Sequence, residues 1–129
     1  MGQPEEILGL FDVWDQALRS GAPDRVAGLY AADAILVPTL SDRLRRNRAE
    51  VQDYYEPLVR RGISASAVEH NVRVYGDVAV NSGVYAVTLA RPGGTPEVVR
   101  ARFTFVYRRS GGRWLIVEHH SSRMPESPA

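Results

Sequence analysis

The sequence predicts an α+β protein in which helices pack on one face of a curved antiparallel sheet. Up to Gly62, apolar residues recur at intervals of three and four, as in amphipathic helices; after Gly62 they recur at intervals of two, as in strands. Helices therefore come first and strands follow, an order that favours the α+β class. No repeat or linker interrupts the 129 residues, so we expect one domain over 1–129, with a frayed tail at 126–129.

Three helices are predicted in the first half of the chain. The first covers residues 5–20, and its apolar stripe has spacings of four, three and four: Ile7, Phe11, Trp14 and Leu18. Pro23 suits the first turn of a second, shorter helix that reaches about Tyr30. A third helix is predicted to begin at a capping box headed by Asn47 and to end at Gly62.

Five strands are predicted around and after the third helix. A short strand over 33–37 is stopped by Pro38. The four longer strands are separated by turn signals, such as the Ser110-Gly111-Gly112 hairpin, and they cover about 68–74, 78–89, 98–109 and 113–122. Strands joined by short turns pair antiparallel, so these four predict a meander.

Composition excludes several kinds of function. The absence of cysteine excludes disulfides, thiolate metal sites and cysteine nucleophiles, and the absence of lysine excludes Schiff-base chemistry. A net charge of +1 gives no general attraction for nucleic acid, and acidic residues flank the arginine-rich segment 43–48. No apolar run is long enough to cross a membrane, and the N-terminus lacks a basic leader region. We therefore expect a cytoplasmic protein without nucleic-acid or membrane partners.

Three parts of the sequence carry a resemblance to a known family: 11–18 followed by 26–30, 101–107 followed by 112–117, and 119–126. Together they resemble the nuclear transport factor 2-like superfamily. Within it they resemble the bacterial relatives of the calcium/calmodulin-dependent kinase II association domain, often called the SgcJ/EcaC family; SnoaL-like polyketide cyclases are more distant. The resemblance implies a cone-shaped fold, a hydrophobic pocket between the helices and the concave sheet face, and a homodimer through the other face of the sheet.

The resemblance also implies which residues face that pocket. Several pocket positions of the kinase association domain are arginines, and the corresponding residues here are Tyr85, Phe105 and Ser121. We therefore expect an apolar, aromatic pocket that suits a hydrophobic ligand better than an anion. The candidate ligand-binding residues are Trp14, Tyr30, Tyr54, Arg73, Tyr85, Phe103, Phe105, Tyr107 and Ser121. The alternatives are that the aromatic residues are ordinary core and that Arg73 lies on an outward face.

His119 is the candidate general acid–base, because the ordinary pKa of histidine lies near neutrality. Alternation separates His119 from His120, and the resemblance implies that His119 faces the pocket, whereas a change of strand register would exchange them. The alternative is a histidine that fills space and bonds to a neighbouring Ser or Tyr. Because adjacent strand residues face opposite ways, we expect no metal site at this pair. No nucleotide-binding glycine motif is present, so we expect no cofactor.

Three functions from different classes remain open. The first is a dimer that binds a hydrophobic small molecule, and the resemblance suggests polyketide- or enediyne-type secondary metabolism. The second is a cofactor-independent isomerase, cyclase or dehydratase that uses His119. A module that only oligomerises is a third. Candidates for the dimer face are Arg102, Glu118 and His120, with Arg102 and Glu118 expected to form a cross-strand ion pair.

Overall fold

The computed structural model describes residues 3–126, and these form three helices and one five-stranded sheet. The elements are α1 (Gln3–Arg19), α2 (Pro23–Ala27), β1 (Tyr30–Val37), α3 (Arg48–Arg61), β2 (Ile63–Tyr75), β3 (Val78–Leu89), β4 (Glu97–Ser110) and β5 (Arg113–Arg123). The predicted α+β class is confirmed. Apart from Glu126, the predicted tail at 126–129 lies outside the described residues.

The sheet has the strand order β1-β5-β4-β3-β2, and the four long strands form the predicted antiparallel meander. β1 differs, because it pairs with β5 in the parallel direction. It also begins at Tyr30, which the sequence placed at the end of the second helix. The chain leaves α2 at Gly28, and the carbonyl of Leu29 already accepts a hydrogen bond from the backbone N–H of Ile116 on β5. This pairing with a distant strand overrides the local helical pattern.

The helices α1 and α3 form where the sequence predicted them for the expected physical reasons, whereas α2 is shorter than predicted. The apolar stripe of α1 is fully buried against the sheet, and α1 contacts mainly β2. Asn47 caps α3, and its Oδ1 accepts a hydrogen bond of 2.9 Å from the backbone N–H of Glu50. Gly62 ends α3 with a φ of 105°, which a glycine adopts without strain.

A bulge in β5 decides which side chains face the helices. Ile116 pairs with Tyr107 and Glu118 pairs with Val106, so Val117 is an extra residue on β5. The extra residue reverses the alternation of the strand. Trp114 and Ile116 therefore share the buried face with His119, and not with His120.

A second bulge lies in β2 and requires a glycine opposite it. The register of β2 against β3 shifts between Ala67 and Glu69, which leaves Val68 exposed. At this point β3 carries Gly83, and a Cβ atom there would lie 1.9 Å from the carbonyl oxygen of Glu69. Only glycine permits this approach of the two strands.

The outer face of the sheet does not contain the ion pair that the sequence predicted. Arg102 and Glu118 are both exposed on this face, but Arg102 lies opposite Ser122 and Glu118 lies opposite Val106. The two residues are therefore several positions apart along the strands. The prediction of a cross-strand pair was wrong because parity alone does not fix register.

Candidate functional site

A cavity lies between α3, the loop after β1 and the inner face of the sheet. The cavity volume is about 40 Å³. The whole space between the surrounding atoms, including the open mouth, is about 450 Å³. The enclosed part therefore holds only a few water molecules. Its lining is Trp14, Leu36, Pro38, Thr39, Leu40, Tyr54, Tyr55, Leu58, Ile63, Tyr85, Val87, Val99, Ala101, His119 and Ser121.

The loop after β1 covers one side of the cavity and is fastened at two points. At its base, Leu36 and Arg45 exchange two backbone hydrogen bonds of 2.8 and 3.0 Å. Near the cavity, the hydroxyl of Thr39 bonds to that of Ser121 on β5. Arg45, from the arginine-rich segment 43–48, is buried, and its guanidinium lies 5.0 Å from the ring centre of Tyr54.

His119 lies in the cavity wall, buried between two tyrosines. Its Nδ1 is 2.8 Å from the hydroxyl of Tyr30, and its Nε2 is 3.1 Å from the hydroxyl of Tyr85. The imidazole also stacks on Phe105, with the ring centres 4.1 Å apart. Burial, with a smaller contribution from His120, lowers the pKa of His119 from 6.5 to about 3. The imidazole is therefore neutral at physiological pH.

The hydrogen bonds of His119 continue to a third tyrosine. The hydroxyl of Tyr30 is 2.8 Å from that of Tyr55 on α3, which gives a chain that runs from Tyr55 through Tyr30 and His119 to Tyr85. Burial raises the pKa of each of the three phenols well above its ordinary value. The chain thus consists of neutral groups whose two ends, Tyr55 and Tyr85, both line the cavity.

Trp14 on α1 contributes its aromatic ring to the cavity wall. Its ring is stacked on that of Tyr85, with centres 5.6 Å apart. The side chain is 2% exposed, and its Nε1 atom is fully buried and interacts with the hydroxyl of Tyr30 behind the wall.

Half of the sequence-predicted site residues line the cavity: Trp14, Tyr54, Tyr85, His119 and Ser121. Four others are buried one layer behind it. Tyr30 holds His119 from the far side, and Phe105 lies under its ring. Phe103 stacks on Tyr85 at 4.8 Å, and Tyr107 stacks on Phe105 at 5.8 Å. These four residues shape the wall but do not touch the empty space.

Arg73 does not line the cavity, and the prediction that it is a ligand-binding residue there was wrong. Its side chain is exposed, and its Nη2 donates a hydrogen bond of 2.9 Å to the hydroxyl of Ser82. The opposite face of β2 turns inward. On that face His70 contacts the ring of Phe11 at 5.2 Å and bonds to the buried Asn81 at 2.9 Å.

Sequence reasoning missed two polar residues of the lining. Tyr55 follows Val51 by four residues, so the helical spacing carried a signal that it faces inward with Val51. Thr39 carried no such signal, because it lies in an irregular loop that approaches β5 only through tertiary contact.

Two other kinds of partner are metal ions and membranes. Within residues 3–126, no three His, Asp or Glu side chains come together as metal ligands would. No helix in the same range has the length and apolar character to span a bilayer.

Comparison with known proteins identifies the family. Residues 3–125 match the model of the calcium/calmodulin-dependent protein kinase II association domain, and the chain belongs to this family. The predicted resemblance is thereby confirmed. A crystal structure from Xanthomonas campestris, described under the same family name, is 41% identical with a TM-score of 0.94; the match covers 98% of this chain and 91% of that one. Curated protein sequences gave no match.

More distant structures share the fold. A protein from Streptomyces avermitilis, assigned as a dehydratase of the NTF2-like family, is 19% identical with a TM-score of 0.83, over 96% of this chain and 99% of that chain. The kinase II hub homology domain of Chlamydomonas reinhardtii is 20% identical with a TM-score of 0.80, over the same shares. These likenesses show that the chain has the fold of these NTF2-like proteins.

Proposed function

We propose that this protein binds a small, mostly apolar molecule in the cavity that Trp14, Tyr54, Tyr55, Tyr85 and His119 border. The observation that carries this proposal is the composition of the wall. Apolar and aromatic side chains dominate it, and a few polar side chains, such as Thr39, His119 and Ser121, lie among them. Ligand sites combine such an apolar wall with a small number of orienting polar groups.

The size of the cavity limits what enters without movement. The enclosed volume of about 40 Å³ is too small for a ring compound, so such a ligand must use the open mouth and displace part of the loop 38–46. The bond between Thr39 and Ser121 is the contact that this movement breaks first. A polyketide- or enediyne-type metabolite, which the family resemblance suggested, would displace the loop further than a single-ring compound. We retain it as a proposed ligand class.

We also propose that two copies pair through the outer face of the sheet. Membership of the association-domain family supports assembly, and the name of the Chlamydomonas neighbour refers to a hub. In a single chain this face leaves apolar side chains partly exposed: Val80, Val84, Val106, Leu115 and Val117. Arg102, Glu118 and His120 lie on the same face and are the proposed polar contacts.

A second candidate function is proton transfer, as in an isomerase, cyclase or dehydratase. The chain from Tyr55 to Tyr85 through His119 favours it, because a neutral imidazole can accept a proton at one nitrogen while it releases one from the other. The low pKa of His119 argues against a role as a simple base that holds a proton at neutral pH. We therefore place binding first and relay chemistry second.

Native mass spectrometry of the purified protein, before and after incubation with an extract of its source, tests the binding proposal. We expect an adduct of defined mass. Ala101→Leu adds a bulky side chain to the cavity wall and should abolish the adduct, whereas Ala32→Leu, at an exposed position on β1, should retain it. No adduct with the unaltered protein, or an adduct unaffected by Ala101→Leu, would contradict the proposal. Loss of an extract component without an adduct would favour the enzyme.

A further inference from the structure

The loop after β1 has two parts, and the part nearer α3 is firmly anchored. The guanidinium of Arg45 donates a hydrogen bond of 2.8 Å to the hydroxyl of Ser41 and another to the carbonyl of Arg43. Arg45 is itself buried and bonded to Leu36 through two backbone hydrogen bonds. Residues 41–45 therefore form one turn that is fixed to β1.

The other part, residues 38–40, lies beyond the paired residues of β1, and we call it the flap. All three of its residues line the cavity. The hydroxyl of Thr39 bonds to that of Ser121 on β5, and the backbone of Leu40 contacts the hydroxyl of Tyr54 on α3. Polar contacts with the sheet on one side and with α3 on the other thus hold the flap over the cavity.

Outward movement of the flap would leave neither hydroxyl of the Thr39–Ser121 pair without a partner. Thr39 is half-buried, so its hydroxyl reaches water once the flap moves. Ser121 also bonds to the hydroxyl of Tyr85 and keeps that bond. A hydrogen bond between neutral groups contributes only modestly to a folded structure when both partners can bond elsewhere. The flap can therefore open while β1 and the turn at 41–45 stay in place.

The cavity volume determines which molecules need this movement. The cavity measures about 40 Å³ beneath the flap, whereas the whole space that includes the open mouth is about 450 Å³. A single atom or a water molecule fits the smaller volume, but a ring compound needs a cavity several times larger. A ring compound therefore binds only when the flap is displaced.

We infer that the hydroxyl pair of Thr39 and Ser121 is a latch that sets the size of the ligand. With the latch closed, the cavity admits a molecule of very few atoms; a ring compound enters and stays bound only with the two hydroxyls apart. This inference rests on the proposed binding function and names the residues that select its ligand by size. A complex with a ring compound lacks one hydrogen bond that the free protein has.

Removal of the latch should therefore tighten the binding of ring compounds. Thr39→Val keeps the shape of the side chain and removes its hydroxyl, so the free protein loses a hydrogen bond that the complex never had. We expect benzene and naphthalene to bind this variant about three- to tenfold more tightly than the unaltered protein. Xenon enters apolar cavities as a single atom and needs no movement of the flap, so its affinity should not change.

Titrations of the ¹⁵N-labelled protein, followed by NMR at the signals of the lining residues, give these affinities. Thr95→Val, at an exposed position between β3 and β4, is the matched control and should leave the affinities for benzene and xenon unchanged. Ser121→Ala removes the same hydrogen bond from the other side. In its background Thr39→Val should have no further effect on the binding of benzene, because the two substitutions act through one bond.

A covalent lock tests the flap directly. The chain contains no cysteine, so Thr39→Cys combined with Ser121→Cys introduces a single pair, and the contact between the two native hydroxyls brings these side chains close together. The oxidised protein should bind xenon and exclude benzene, and reduction should restore the binding of benzene. Should the disulfide not form, the comparison of Thr39→Val with Thr95→Val decides.

The outcomes separate the latch from the function on which it rests. Unchanged or weaker binding of benzene to Thr39→Val, an equal gain for benzene and xenon, or binding of benzene to the oxidised cysteine pair would overturn the latch while the binding proposal stands. If xenon, benzene and naphthalene all fail to bind the unaltered protein and Thr39→Val, the proposed binding function fails and the inference fails with it.

Discussion

Acidification should destabilise this protein through His119. The folded protein holds this imidazole neutral, because burial lowers its pKa from 6.5 to about 3, whereas the unfolded chain protonates it as pH falls below about 6.5. The unfolded state therefore binds more protons over this range, and stability decreases as pH falls. One pKa unit corresponds to about 1.4 kcal/mol, so the contribution of His119 falls by about 2 kcal/mol between neutrality and about pH 5.

The substitution His119→Gln isolates this contribution. Glutamine does not titrate, and its amide can both donate and accept, so it can replace the bonds to Tyr30 and Tyr85. Chemical denaturation of both proteins at several pH values, at one protein concentration, gives the free energy of unfolding. His70, His120 and the carboxyl groups occur in both proteins, so their titration cancels in the difference.

We expect the wild-type protein to lose about 2 kcal/mol more than the variant over this pH range. Parallel pH profiles for the two proteins would refute the reasoning. The NMR signal of the His119 ring provides a second measurement that does not depend on the variant. It should stay at the neutral position down to about pH 5, and a titration midpoint near the ordinary value of 6.5 would likewise refute the assignment.

Three further predictions concern stability and assembly. Gly83→Ala should lower the free energy of unfolding by about 3 kcal/mol in denaturant, because its Cβ would meet the backbone of Glu69. Gly9→Ala, with open space around it in α1, should be neutral or slightly stabilising. Equal effects of the two substitutions would contradict the bulge. Asn47→Ala should cost about 1 kcal/mol of unfolding free energy through loss of the α3 cap, and no loss would show that the cap is dispensable. Val106→Asp should convert the proposed dimer to a monomer, as measured by light scattering, whereas Val13→Asp on α1 should leave the dimer intact. A Val106→Asp protein that remains dimeric would exclude the proposed face.

Local patterns in the sequence were sufficient for the helices and for the antiparallel meander. The stripe of α1, the cap at Asn47 and the change of period at Gly62 are properties of short segments, and the structure places all three as predicted. The parallel pairing of β1 with β5 was not predictable in this way. It joins residues some eighty positions apart along the chain, such as Leu36 and His119, and no local pattern encodes it.

The placement of the site depended on bulges that alternation cannot detect. If alternation is continued from the buried Trp114 and Ile116, it places Glu118 and His120 inside. The bulge at Val117 reverses this order, and the resemblance to the family, not the periodicity, pointed to His119. In β2 the bulge at Val68 has the same effect, because the inner residues have odd numbers before it and even numbers after it. That change places Arg73 on the surface.

Binding and proton transfer make different demands on His119. A binding site needs only its hydrogen bonds, which fix the positions of Tyr30 and Tyr85. A relay also needs the imidazole to exchange the nitrogen that carries the hydrogen, which reverses every hydrogen bond from Tyr55 to Tyr85. An amide can supply the bonds but cannot make this exchange, because its donor and acceptor atoms are fixed. His119→Gln should therefore preserve ligand affinity under both hypotheses, and loss of turnover in that variant would be specific evidence for catalysis.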